Sequence, residues 1–150
     1  MSGDKYNLKR FLDAQERDYD QALQEIRSGR KRSHWMWYIF PQLKGLGFSS
    51  TANYYGIRDL DEAEAYMAHP LLRNRLIEIS DALLYLKTDD PEHVLGYPDN
   101  LKLQSCMTLF SNADEEEPVF NYVLEKFFEG KPDERTLDLI SYYENRKNKS

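Results

Sequence analysis

Residues 30 to 42 read Arg-Lys-Arg-Ser-His-Trp-Met-Trp-Tyr-Ile-Phe-Pro-Gln. The fold class depends on how this stretch is interpreted, because its aromatic and branched residues suit both a buried helix and a pleated strand. No second strand follows nearby to pair with it. The segment from Ser33 to Phe40 is therefore predicted to be a short buried helix, closed by Pro41.

The preceding segment has the three- and four-residue apolar spacing of an amphipathic helix. Its apolar residues are Leu8, Phe11, Leu12, Tyr19, Ala22, Leu23 and Ile26. Asn7 is predicted to cap the start of this helix, because its side chain can accept hydrogen bonds from unpaired N–H groups. Gly29 is predicted to follow the end, because glycine readily takes the left-handed conformation.

Capping residues and prolines divide the rest of the chain into short helical segments. Asp59 with Glu62 has the spacing of a capping box, and Pro70 is tolerated in a first helical turn. Further starts are marked by Asp90, Pro98, Pro118 and Pro132, and Gly130 is predicted to end the helix that begins at Pro118. No segment shows strand alternation or an internal repeat. The predicted fold is all-α, an irregular compact single domain over residues 1–150 with roughly seven to nine short helices. The tail from residue 145 is predicted to be frayed.

The composition is that of a globular protein, with 41% hydrophobic and 31% charged residues. The longest apolar run, Trp35 to Phe40, is far shorter than the roughly 20 residues that cross a bilayer, so no membrane association is expected. The N-terminus lacks the apolar region of a signal peptide, and the lone Cys106 excludes an internal disulfide framework. A cytoplasmic location is expected.

The charge distribution is uneven. The net charge is −6, which disfavours nucleic acid as a partner, yet Arg27, Arg30, Lys31 and Arg32 lie within six positions. A local cationic site on an anionic protein can bind a small anion. The acidic run at residues 114–117 is interpreted as a solvated loop before a helix, with cation or partner binding as the alternative.

The stretch at residues 30–42 also contains a candidate site. Arginine side chains bind phosphate or carboxylate, indole rings stack on flat rings, and an imidazole exchanges protons near neutral pH. If Ser33 capped a helix here, the free N–H groups of that helix would attract the same anions. The candidate ligand-binding residues are Arg30, Arg32, Trp35, Trp37 and Lys102, and the candidate catalytic residue is His34.

Helix geometry limits this candidate site. Neighbouring helical residues point about 100° apart, so Trp35 and Trp37 cannot both share a face with His34, and one indole is predicted to be core. The arginines can instead complement the C-terminal dipole of the first helix. Lys102 follows Asp99 by three positions, so it either forms a surface pair with Asp99 or reaches the anion site.

Other reactive residues give weaker signals. Cys106 lies between apolar neighbours and has no local base, so a small buried side chain is expected rather than a nucleophile. His69 and His93 are not at metal-ligand spacing from each other or from the cysteine. Neither a metal nor a cofactor is predicted, and no phosphate-binding glycine loop is present.

Two functions fit these features. The first is binding of, or action on, a phosphorylated or nucleotide-like small molecule at a basic and aromatic pocket around residues 30–42. The second is a noncatalytic protein-interaction module that uses the aromatic segment or the acidic loop at 114–117, since aromatics and Arg dominate binding hot spots. Whether the protein is an enzyme stays open.

The sequence also resembles a bacterial family, domain of unknown function 1810. The resemblance spans nearly the whole chain and rests on residues 33–42, 45–47, 55–57, 62–63, 66, 69–71, 75–76 and 99–110. It implies a compact, mostly α-helical domain and brings no established activity or catalytic set. Members are sometimes labelled calpastatin-like, but calpastatin is an extended, largely disordered inhibitor, and this chain has abundant aromatics and helical periodicity.

Overall fold

The structure, a computed structural model, describes residues 4–148, with the backbone alone for residue 148. Nine α-helices and no strand occur within this part of the chain, which confirms the all-α prediction. The helices are α1 (Lys9–Arg27), α2 (Met36–Ile39), α3 (Ser50–Tyr55), α4 (Leu60–Ala68), α5 (Pro70–Leu84), α6 (Pro91–Leu95), α7 (Asp99–Ala113), α8 (Val119–Phe128) and α9 (Glu134–Asn148).

Helix α7 lies at the centre of the domain. It packs against α4, α6, α8 and α9, and every residue from Ser105 to Phe110 is buried. A helix that is apolar on all sides is stable only inside a core. Helix α5 forms the second packing centre, because it contacts α1, α4 and α8. The result is a single domain around one hydrophobic core.

Most predicted helix boundaries are confirmed. Asp59 accepts a hydrogen bond from the Glu62 amide at 3.0 Å and so caps α4. Pro70 occupies the first turn of α5. Helix α8 ends where Glu129 and Gly130 both take a left-handed conformation.

The predicted cap of α1 is wrong. Asn7 does not cap the helix, and the Asp4 carboxylate instead accepts the amides of Leu8 and Lys9 at 2.6 and 2.7 Å. An aspartate farther from the helix start therefore satisfies the N–H groups that Asn7 was expected to bind. Gly29 does follow the end of α1 with a left-handed backbone, as predicted.

The stretch that decides the fold class forms a helix, but a very short one. Helix α2 comprises four residues and is followed by Pro41. Leu43 then forms an isolated parallel β-bridge with Ile57. A Cβ on Gly56 would lie 2.8 Å from the Lys44 backbone, so this close approach of two chain segments requires glycine.

Among residues 4–148, none of the helices is both long enough and apolar enough to cross a membrane. Helix α9 continues to Asn148, and residues 149–150 of the predicted frayed tail lie outside the described part of the chain. Fraying of the tail stays a prediction.

Candidate functional site

A buried carboxylate on α1 positions the aromatic stretch. The Oε1 atom of Glu25 accepts hydrogen bonds from the amides of Arg32 and Ser33 at 2.7 and 3.0 Å and from Trp35 Nε1 at 2.9 Å. Its Oε2 atom accepts the Ser33 hydroxyl at 2.6 Å. Burial raises the pKa of Glu25, but the bonds from Ser33, Arg32 and Trp35 outweigh burial and hold the pKa at about 2. The carboxylate is therefore charged at neutral pH.

The prediction that Ser33 caps an anion-binding helix is wrong. Helix α2 begins after Trp35 and has no side-chain cap, because the Ser33 hydroxyl is already hydrogen-bonded to Glu25. The anion site cannot rest on the free N–H groups of that helix.

The two indoles have different environments. Trp35 is 1% exposed and packs in the core, where its ring lies 6.2 Å from that of Phe40. Trp37 is only partly buried. Its ring packs against Gly47, where an added Cβ would lie 3.1 Å from the indole, so the loop approaches Trp37 closely because position 47 is glycine. Trp35 is the core tryptophan, and Trp37 is the more exposed of the two indoles that border a cleft.

The cleft has two lobes that share Trp37 and Lys102. The first lobe, about 280 Å³ in volume, is lined by Lys31, His34, Trp35, Met36, Trp37, Tyr38, Thr51, Asp99 and Lys102. The second lobe, about 330 Å³ in volume, is lined by Trp37, Gln42, Leu46, Gly47, Pro98, Leu101, Lys102, Ser105, Asp133 and Arg135. Ligand pockets for drug-sized molecules are roughly 300–1,000 Å³, so the two lobes together have a suitable size.

The first lobe contains a three-membered charge network. Lys31 Nζ and Lys102 Nζ each lie 3.0 Å from a different oxygen of the Asp99 carboxylate. Lys31 is 5.2 Å from the Trp35 ring centroid, and Lys102 is 4.1 Å from that of Trp37. Two lysines and one carboxylate leave a charge of +1 in this lobe, and the ring contacts add a cation–π attraction that holds both ammonium groups in place.

The second lobe is more apolar and contains an unpaired amide. Gln42 is 6% exposed, and its Nε2 atom is buried with no hydrogen-bond partner among the described residues. Ser105 donates to the Leu101 carbonyl at 3.1 Å, and Arg135 donates to the Leu46 carbonyl at 3.2 Å. Among these polar lining residues, the Gln42 amide is the group that the fold leaves without a partner.

The structure brings together four of the six predicted site residues. His34, Trp35, Trp37 and Lys102 line the first lobe, whereas the exposed Arg30 and Arg32 line neither lobe. Both arginine side chains lack an ion-pair partner within the described residues, and the Arg30 amide donates to the Glu25 carbonyl at the end of α1. Their position at this helix end matches the alternative interpretation, in which they complement the helix dipole.

Sequence reasoning missed three of the polar groups in the cleft. Lys31 belongs to the basic run but was not singled out from its neighbours, and Asp99 was considered only as a partner of Lys102. Gln42 gave no signal beyond its place after Pro41. The predicted Asp99–Lys102 pair forms, and Lys102 also lines the cleft, whereas its role in binding an anion stays a prediction.

Two of the reactive side chains in the described part of the chain, Cys106 and His34, lack the neighbours that activate a nucleophile or orient a base. Burial raises the pKa of the Cys106 thiol well above its ordinary value, and the side chain is fully buried. The His34 imidazole is exposed, and no described residue hydrogen-bonds to it, so no third group orients it as a base. Within residues 4–147, no group of three or more His, Cys, Asp or Glu is placed to hold a metal ion.

The acidic loop at 114–117 is partly engaged by the fold. Asp114 and Glu117 both pair with Arg73, at 2.5 and 3.4 Å, and Glu117 also accepts the Val119 amide at 3.1 Å. Two of the four carboxylates are therefore engaged by the fold, one of them, Glu117, at the start of α8, and Glu115 and Glu116 remain exposed.

Comparison with known proteins identifies the family. The profile described as protein of unknown function (DUF1810) matches residues 5–140. The chain belongs to this family. A crystal structure of the conserved hypothetical protein Rv1873 from Mycobacterium tuberculosis is 45% identical, with a TM-score of 0.90 over 92% of this chain and 99% of that one. No curated protein matches the chain.

Membership in DUF1810 agrees with the resemblance seen in the sequence and with the helical fold. The similarity covers both halves of the cleft, since residues 31–42 and 99–135 lie inside the matched range. The DUF1810 description assigns no activity, and the printed title of the mycobacterial structure names no ligand. Function must therefore be argued from the cleft.

Proposed function

We propose that the cleft binds a phosphorylated small molecule that carries a flat ring, as a nucleotide does. The observation that carries the proposal is the placement of two lysines, one shared carboxylate and a partly exposed indole in a single lobe. The lysines supply charge for the anion, and Trp37 supplies apolar surface for the ring.

The charges of the lobe favour an anion over a cation. Lys31 and Lys102 outnumber Asp99, and the rest of the chain is acidic, so this is a local positive site on a protein of net charge −6. Lys31 is 9% exposed and Lys102 is 22% exposed, so both charges are shielded from much of the solvent. An anion that enters the lobe interacts with them at a lower effective dielectric than at an open surface.

Binding is better supported than catalysis. A general base needs a second group that orients it, and the His34 imidazole has no such partner among the described residues. His34 is therefore proposed as an additional donor to the anion. A role as acid or base would require the ligand itself to orient the ring.

The test begins with thermal-shift screening of nucleotides, ADP-ribose, nicotinamide dinucleotides and sugar phosphates. A ligand that binds the folded state raises the melting temperature by mass action. Calorimetry then compares adenosine 5′-monophosphate, adenosine and inorganic phosphate. We expect the monophosphate to bind more tightly than either part alone, because it engages both the lysines and the indole.

Replacing one lysine distinguishes a specific site from general charge attraction. Lys102→Met is expected to weaken monophosphate binding by about ten- to a hundredfold, the effect of losing one charge-assisted hydrogen bond. Lys126→Met is the matched control, because Lys126 is 18% exposed, lies 2.7 Å from Asp89 and is 5.4 Å from the Phe127 ring. The proposal would be contradicted if both variants weakened monophosphate binding equally. It would also be contradicted if no phosphorylated compound bound at millimolar concentration.

A further inference from the structure

We propose that the second lobe holds the planar heterocycle of this ligand and that the Gln42 amide hydrogen-bonds to the edge of that ring. This inference rests on the proposed function. It adds the position of the ring, the residue that recognises it and the chemical class of the ring, a heterocycle with adjacent donor and acceptor groups.

The buried amide of Gln42 has an energetic cost in the free protein. Gln42 is 6% exposed, and its Nε2 atom has no acceptor among residues 4–147. Buried polar groups are almost always hydrogen-bonded, so an unpaired one needs a specific explanation. An apolar side chain of the same length would avoid this cost at position 42. A ligand that supplies the missing partner explains why an amide is present there.

A second buried glutamine, Gln15, has all the partners that Gln42 lacks. Gln15 is 2% exposed, but its Nε2 atom donates to the Tyr38 carbonyl at 2.9 Å and to the Tyr66 hydroxyl at 3.0 Å. Its Oε1 atom accepts from Arg75 at 3.4 Å. The fold therefore satisfies one buried glutamine completely and leaves the other, which lines the cleft, unpaired.

The shape and polarity of the lobe around Gln42 suit a flat heterocycle. Trp37, Leu46 and Leu101 provide apolar walls, which suit the faces of a flat ring. A glutamine amide presents a donor and an acceptor side by side, and rotation about its last bond exchanges the two. This pair matches a ring edge with adjacent acceptor and donor, as in the bidentate contact of glutamine with adenine.

The two lobes are neighbours in the structure. Trp37 and Lys102 line both, so a ring in the second lobe lies next to the lysines of the first. Apart from the shared Lys102, the charged lining residues of the second lobe are Asp133 and Arg135, whose charges balance, whereas the first lobe has a charge of +1. A ligand with a neutral ring at one end and a phosphate at the other is complementary to both lobes.

The experiment compares ribose 5-phosphate with the four ribonucleoside 5′-monophosphates by calorimetry, in the wild type and in Gln42→Met. We expect at least one nucleotide to bind about tenfold more tightly than ribose 5-phosphate in the wild type. Gln42→Met is expected to reduce that advantage by about three- to tenfold, the effect of one or two neutral hydrogen bonds, and to leave ribose 5-phosphate affinity unchanged.

The free protein provides a second, independent readout. Gln42→Met is expected to raise the melting temperature by about 2–4 °C, because it removes an unpaired buried group. Gln15→Met is the matched control. This substitution is expected to lower the melting temperature, because it removes the hydrogen-bond partner of Tyr38 and Tyr66.

The outcomes separate the inference from the proposed function. Ribose 5-phosphate binding as tightly as every nucleotide would overturn the inference and leave the phosphate site intact. Equal weakening of both ligand types by Gln42→Met, or a fall in its melting temperature like that of Gln15→Met, would show that the amide serves the free fold, for example through a bound water. Failure of every phosphorylated probe to bind would overturn the proposed function and this inference together.

Discussion

At the scale of single residues, Glu25 determines how the aromatic stretch enters the fold. Its carboxylate is 8% exposed and has no cation partner among the described residues, yet it accepts hydrogen bonds from the backbone and side chains of residues 32–35. Hydrogen bonds to a charged acceptor are stronger than those to a neutral one. Glu25 thus places Trp35 in the core and fixes the backbone just before His34, which lines the first lobe.

Replacing this carboxylate should give a pH-dependent loss of stability. The pKa of Glu25 is about 2 in the folded protein, below the roughly 4.3 expected in the unfolded chain, so the charged form stabilises the fold at pH values above about 4.3. That contribution disappears as the pH falls through 2. Glu25→Gln is expected to cost about 1–3 kcal/mol in the free energy of unfolding at pH 7, and less at each lower pH.

Urea unfolding followed by circular dichroism at pH 7, 4 and 2.5 measures this change. Glu64→Gln is the control, because Glu64 is exposed on α4 and makes no hydrogen bond or ion pair with any described residue. If the free energy of unfolding differed between the wild type and Glu25→Gln by the same amount from pH 7 to pH 2.5, the charge of Glu25 would not be what stabilises the segment.

Residue-scale reasoning from sequence succeeded where local geometry sufficed. The 100° rotation between helical neighbours correctly predicted that one indole is core and the other is not. Helix geometry could not show which indole is core. That depends on Glu25, ten positions before Trp35, which accepts a hydrogen bond from the Trp35 side-chain N–H. Likewise, the clustering of Arg30 and Arg32 in sequence does not show where their side chains lie in the fold, and both residues are exposed and line neither lobe.

At the scale of helices, a buried ion pair connects α1 to α4. Arg10 and Glu62 side chains are 6% and 3% exposed, and their charged atoms lie 2.7 Å apart. The Arg10 guanidinium also donates to the carbonyls of Tyr54 and Gly56 at 2.8 and 3.0 Å, so it secures the loop after α3 as well. A buried charge of this kind is strongly destabilising when its partner is removed, because it cannot be resolvated.

Neutralising Glu62 should therefore destabilise the domain strongly. Glu62→Gln is expected to lower the free energy of unfolding by about 3 kcal/mol, since Arg10 keeps its charge in a buried position. Denaturant unfolding at pH 7 measures the loss. Asp13→Asn, which breaks the exposed Lys9–Asp13 pair at 2.8 Å, is the control and is expected to change stability little. If the two variants behaved alike, the buried pair would not be what joins these helices.

Helix boundaries were predictable where the deciding residue lies within one turn. Asp59 caps α4, Pro70 begins α5 and Gly130 follows α8, because each acts on backbone groups close to it in sequence. The start of α1 and the cap of α2 were not predictable by the same rule. There, Asp4 and Glu25 act on backbone groups four to eight residues away and displace the expected caps, Asn7 and Ser33.

At the scale of the whole molecule, the cleft is assembled from distant parts of the chain. Its lobes combine the stretch at 31–47 with the first turns of α7 and the start of α9. No sequence pattern relates Gln42 to Arg135, since only the packing of α9 against α7 and the loop at 42–47 brings them together. The types of residue in the cleft, basic and aromatic, were therefore partly predictable from the sequence. The particular residues that meet there depend on the tertiary structure.

The two tryptophans provide the most direct test of the proposed cleft, because Trp37 is partly exposed and lines both lobes, whereas Trp35 is buried, borders only the first lobe and donates its N–H to Glu25. In a nitrogen–proton correlation spectrum, each indole N–H gives its own peak, and a Trp37→Phe variant assigns them. Titration with adenosine 5′-monophosphate is expected to move the Trp37 peak along a saturable curve and to move the buried Trp35 peak much less. If both peaks stayed in place at millimolar ligand, or moved equally without saturation, the cleft would not be a binding site for this class of molecule.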